Sequence, residues 1–94
     1  MSESQSWIFG TAADCDVRVT DDPYVSPHHC RVTLYDNGTV TVEDLGSTKG
    51  TQVIPGFPGS GAIALGVHTP VPKCRIQLGW TIRIGRTDIP WRRP

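Results

Sequence analysis

A chain of 94 residues can build one domain with a modest core but cannot hold a catalytic domain and an accessory one, so residues 1–94 are read as a single domain. Nine Lys and Arg offset nine Asp and Glu for a net charge of zero, which leaves no overall field to attract nucleic acid or an anionic membrane; any anion site must be local. The polar start, Met-Ser-Glu-Ser-Gln, and the short apolar runs match neither a signal peptide nor a membrane span, and the expected location is the cytoplasm.

Cys15, Cys30 and Cys74 are odd in number and contain no C-x-x-C pair, which speaks against a disulfide framework or a structural zinc. Reduced, partly buried thiols are expected, with no metal and no cofactor.

In chain order, residues 1–6 are expected to be loose, and Trp7-Ile8-Phe9 and Asp16-Val17-Arg18-Val19 read as strands joined by a turn of small residues. The clearest unit follows: Arg31 to Tyr35, then Asp36-Asn37-Gly38, then Thr39 to Glu43. Alternating strands flank an Asn-Gly that tolerates positive φ, so this is a β-hairpin, with Val32, Leu34, Val40 and Val42 on its core face. Residues 54–72 are rich in proline and glycine and read as a long loop with one short strand at Ala62 to Leu65. Thr81-Ile82-Arg83-Ile84 is a further strand, and residues 91–94 are expected to be loose. Strands this short and frequent predict an all-β chain, a β-sandwich of two mainly antiparallel sheets.

Two loops carry unusual polar groups, Tyr24-Val25-Ser26-Pro27-His28-His29 and Asp44-Leu45-Gly46-Ser47-Thr48-Lys49-Gly50-Thr51. Hydroxyls, a lysine and glycine-exposed N–H groups are donors suited to phosphate or carboxylate. Taken with Gly10 and Asp14-Cys15-Asp16-Val17, these segments resemble forkhead-associated (FHA) domains in order and spacing. The resemblance runs from Trp7 to Thr51 and resumes from Leu78-Gly79 through Gly85, which is similar to the family's closing strand.

The resemblance implies an eleven-stranded sandwich whose loops read a phosphothreonine peptide, and hence a partner that is a phosphorylated or acidic protein segment. It implies that Ser26 and Thr48 supply hydroxyls to the phosphate, with Ser47 in the same loop. His29 becomes a structural brace, while Gly10, Gly46 and Gly50 become turn residues with special backbone angles. Where the family carries a phosphate-gripping arginine after the first glycine, this chain has Thr11, and it has Pro27 and Lys49 at two further ligand positions. A charge-assisted hydrogen bond contributes about 1.5–3 kcal/mol, so weakened phosphate affinity is expected, offset in part by Lys49 as a point charge. Arg18 and Arg31 are further candidates whose strands point them elsewhere. A phosphate-independent binding domain stays open beside this reading. Only nine residues precede Gly10, where the family carries one or two strands more, so an open sheet edge is expected, taken up either in a homodimer or by residues 54–72 in the role of the missing N-terminal strands.

A serine hydrolase would need Ser26 with His29 or His28 as nucleophile and base. No G-x-S-x-G elbow and no residue to orient the base accompany them, so no catalytic residue is assigned. His28, His29, Cys30 and Cys15 lack zinc-ligand spacing, and Gly46 to Gly50 lacks that of a nucleotide P-loop.

Overall fold

The structure, a computed structural model, describes residues 4–56, 59, 61–65 and 73–92. They form β1 (Ser4–Gly10), β2 (Val17–Arg18), β3 (Cys30–Tyr35), β4 (Val40–Asp44), β5 (Thr51–Ile54), β6 (Ile63–Leu65), β7 (Lys73–Ile76), β8 (Thr81–Ile84) and β9 (Thr87–Pro90). One sheet has the order β2-β1-β3-β4-β7 and the other β6-β5-β8-β9. All pairings are antiparallel except β1 with β2. This is the expected all-β sandwich of two mainly antiparallel sheets. No helix among the described residues is long and apolar enough to cross a membrane.

The hairpin forms as its alternation predicts, with Val32 opposite Val42 and Leu34 opposite Val40. Its three-residue turn places Gly38 at a φ of 88°, and the Asn37 side chain accepts the Thr39 N–H at 3.0 Å, so both halves of the Asn-Gly pair are used. Val32 and Val42 meet Val53, Ile82 and Ile84 of the other sheet in a fully buried core.

Several expectations are corrected. The chain is already paired at Ser4, opposite Tyr35, so the start of β1 is held by β3 and is not loose. The expected strand over Asp16 to Val19 shrinks to β2, because the Asp16 carboxylate turns back to accept the Ile8 N–H at 2.8 Å. At the other end, Trp91 is only 4% exposed and packs against Trp7 at a centroid distance of 5.6 Å. Trp91 also exchanges backbone hydrogen bonds with Gly79 and Trp80. The β8 strand does not close the fold, since β9 pairs beyond it. The strand expected at Ala62 to Leu65 is β6, paired with β5; residues 57, 58, 60 and 66–72 of the expected loop lie outside the described residues.

Candidate functional site

At one end of the hairpin, the loop before β3 and the turn between β4 and β5 come together, and His29 joins them. The side chain is fully buried. Its Nδ1 accepts the Ser26 N–H at 3.1 Å and its Nε2 donates to the Gly50 carbonyl at 2.7 Å. A backbone N–H can only donate and a carbonyl only accept, so the ring is held as the tautomer protonated at Nε2. With both nitrogens committed to backbone, His29 is not placed to take a proton from Ser26.

The turn between β4 and β5 is built around Asp44. Its carboxylate accepts the N–H groups of Gly46 and Ser47 at 3.0 and 3.1 Å, the Thr51 hydroxyl at 2.8 Å and the Ser47 hydroxyl. Gly46 and Gly50 adopt φ values of 80° and 79°, the left-handed conformation that a glycine reaches without strain. Ser47 is therefore not a surface ligand as expected: it is 3% exposed and its hydroxyl holds the turn from within.

Thr48 and Lys49 point outward from this turn, and both are exposed. The Thr48 N–H donates to Ser26 Oγ at 3.2 Å, which leaves the Ser26 O–H able to donate to a third group. Pro23, Tyr24, Val25, Ser26, Pro27, Thr48 and Lys49 line an open cleft of about 270 Å³. Lys49 Nζ lies 5.6 Å from the centre of the Tyr24 ring, and the Arg86 guanidinium lies 4.5 Å from it. Both cations gain from the electron-rich face of the ring. Lys49 thus gives the cleft a positive charge in a chain of zero net charge, while Arg86 lines a neighbouring hollow with Asp21 and Asp22.

Gly10 and Thr11 hold the third side. Thr11 N–H donates to the Ser26 carbonyl at 3.2 Å and Ala12 N–H to the Pro27 carbonyl at 3.1 Å. Gly10 has no left-handed φ, contrary to expectation; its role is proximity. A Cβ on Gly10 would lie 2.1 Å from the Pro27 carbonyl oxygen and 2.8 Å from that of Ser26. Arg18, set aside in the sequence, is directed here: it sits beside Gly10 in the parallel pair, and its Nε donates to the Thr11 carbonyl at 3.0 Å. Among the described residues its terminal nitrogens make no hydrogen bond. Arg31 instead pairs with Glu43 at 3.4 Å.

Asp22 fixes the loop that carries Tyr24. Burial alone would raise its carboxyl, but hydrogen bonds from the Thr87 hydroxyl and the Tyr24 and Arg86 N–H groups hold it below the usual carboxylate range. This ties the loop to the turn between β8 and β9, a link that sequence reading missed because the partners are 64 and 65 positions away. Among the thiols, burial pushes Cys30 up to about 12, with Asp44 adding to the rise.

Comparison with known proteins agrees with this fold. The FHA domain family model matches residues 7–85. A solved FHA domain from a study of phosphothreonine-dependent interactions is 27% identical, with a TM-score of 0.66 over 94% of this chain and 76% of its own. The FhaA FHA domain, solved in complex with the intracellular domain of Rv3910, is also 27% identical, with a TM-score of 0.64 over 92% of this chain and 78% of its own. The FHA domain of CT664 from Chlamydia trachomatis, 20% identical, shares the fold with a TM-score of 0.67 over 89% of this chain and 71% of its own. No curated protein matches the chain. With a family model spanning most of its length and a fold shared with these structures, the chain belongs to the FHA domain family, whose members are interaction modules.

Proposed function

We propose that this domain binds phosphothreonine-containing peptides in the cleft between Ser26 and Lys49, with phosphate affinity below that of a site built on an arginine at position 11. The observation that carries the reading is the bond from Thr48 N–H to Ser26 Oγ at 3.2 Å. It ties the Ser26 side chain to the residue that carries the second hydroxyl, and Ser26, Thr48 and Lys49 line one cleft. An FHA domain 27% identical to this one takes part in phosphothreonine-dependent interactions.

In this reading the Ser26 and Thr48 hydroxyls donate to phosphate oxygens and Lys49 supplies charge without directionality. Arg18 brings a guanidinium to the backbone of Thr11, on the side of the loop where the side chain of Thr11 is short and neutral. The peptide backbone would run along Pro23 to Pro27.

Calorimetric titration with a degenerate phosphothreonine peptide pool and its unphosphorylated counterpart tests the reading. Binding confined to the phosphorylated pool is expected, lost in Ser26→Ala and strengthened about 10- to 100-fold in Thr11→Arg, the equivalent of one charge-assisted bond. Equal binding of both pools, unchanged in Ser26→Ala, would overturn it in favour of phosphate-independent recognition.

A further inference from the structure

The sequence presents Cys15, His28, His29 and Cys30 as scattered potential ligands, and the fold sorts them into two groups. His29 and Cys30 turn into the core. His28 is exposed and Cys15 half-buried, and both meet Asp14, so that the Asp14 carboxylate, Cys15 Sγ and His28 Nε2 all lie within 4.8 Å of one another. We propose that these three side chains form a binding site for a borderline-soft divalent cation, with Zn²⁺ as the best fit.

The donor set carries the choice of ion. One thiolate, one imidazole and one carboxylate are each ordinary zinc ligands, at about 2.3 Å for sulfur and about 2.0–2.2 Å for nitrogen and oxygen. Tetrahedral bonds of that length set neighbouring donors a little over ~3 Å apart. His28 Nε2 and the Asp14 oxygens are 2.9 and 3.1 Å apart, so only a small opening admits the ion. Hard cations such as Mg²⁺ and Ca²⁺ take oxygen donors and would gain nothing from the sulfur.

The two loops that bring the donors together are already fastened to each other. Ala12 N–H and Cys15 Sγ both donate to the Pro27 carbonyl, at 3.1 and 3.0 Å, and Cys15 N–H closes its own turn onto the Ala12 carbonyl at 3.1 Å. The donors are therefore held close before any ion arrives, which limits the ordering that binding has to impose. Metal binding releases the Cys15 thiol proton to solvent and breaks its hydrogen bond to Pro27; the sulfur–metal bond replaces it. His28 binds the ion as the tautomer protonated at Nδ1, so the Nε2 proton it gives to the Asp14 carboxylate passes by way of solvent to Nδ1, and the nitrogen–metal bond replaces that hydrogen bond. Three protein donors leave the fourth position to water. Asp14 and His28 are both exposed, so the ion enters from solvent.

Titration of the intact chain with Co²⁺, a spectroscopic stand-in for Zn²⁺, followed by Zn²⁺ competition, tests this. The expected result is a near-ultraviolet thiolate-to-cobalt band together with intense visible bands of tetrahedral cobalt, both abolished by Zn²⁺. The near-ultraviolet band should vanish in Cys15→Ser and persist in Cys74→Ser. A residue that merely supports a metal ligand contributes about 10–100-fold to affinity, so His28→Ala should weaken Zn²⁺ binding by at least that factor. Thermal unfolding of each variant confirms that it is folded when titrated. Absence of the band in the wild type, its survival in folded Cys15→Ser, or Zn²⁺ affinity unchanged in folded His28→Ala would overturn the proposal.

Discussion

The His29 imidazole donates from Nε2 to the Gly50 carbonyl 2.7 Å away, and through Nδ1 it accepts the N–H of Ser26. One buried ring thus sets the spacing between the loop that carries one hydroxyl and the turn that carries the other. His29→Ala would leave a half-buried donor and a half-buried acceptor unsatisfied and open a void, each unmet group costing up to about 1–3 kcal/mol. A loss of about 3 kcal/mol in stability is expected, read as a fall in the denaturant midpoint. A variant as stable as the wild type would show that the ring does not brace the loops.

Gly10 offers a sharper test of packing. A methyl group there would overlap the Pro27 carbonyl, whereas at Gly38 nothing lies within 4 Å of the equivalent position. Gly38→Ala meets only the strain of its left-handed backbone, about 1 kcal/mol. Gly10→Ala has to push the Ser26–Pro27 segment off β1 and should cost about 1–3 kcal/mol or more, together with peptide binding. Chemical denaturation of the two variants side by side checks the order.

The Trp7–Trp91 pair links the first strand to the residue after β9. Trp91→Ala removes a large buried side chain from a contact between the chain's two ends and should cost about 3–5 kcal/mol. The tilted ring pair, 52° between planes, should also give a near-ultraviolet circular dichroism signal that disappears in the variant well below its melting temperature.

Acid should loosen the molecule in a defined window. Asp22 and Asp88 are both held below the ordinary carboxyl value of 3.8: Asp22 by hydrogen bonds that outweigh its burial, Asp88 first by its hydrogen bond from Arg83. A carboxyl depressed in the folded state binds fewer protons there than when unfolded, so its contribution is present above the unfolded value and fades as pH falls through the folded one. Stability should therefore hold down to about pH 4 and decline below it. Asp22→Asn should be less stable at neutral pH and flatter in its acid decline, as measured by urea unfolding from pH 6 to 2.

What could be read from the sequence was local. The hairpin was legible because alternation and Asn37-Gly38 act over a few residues, and the loop motifs because their polar groups cluster in the chain. Strands β7 and β9 were not: KCRI and TDIP alternate over only four residues each, too short a run to read alone, and are ordered by pairing with β4 and β8. Gly10 was noticed for the wrong reason, since the closeness of Pro27 is a fact of tertiary structure. Arg18 reads as pointing elsewhere because the parallel pairing that sets it beside Gly10 is not written in the residues of its own short strand. Ser47 looks like a ligand from its neighbours, and only its hydrogen bonds to the half-buried Asp44 carboxylate explain why it faces inward.

The chain changes sheets between β4 and β5, and the turn from Asp44 to Gly50 is that crossing point. Whatever fastens Thr48 to Ser26 therefore also fastens one half of the sandwich to the other. A ligand held across the cleft works as a clasp on the seam of the fold: it raises stability with the logarithm of its concentration once that exceeds the Kd, and it resists the sliding of one sheet over the other. With the peptide bound as proposed, recognition and mechanical integrity are lodged in the same handful of loop atoms.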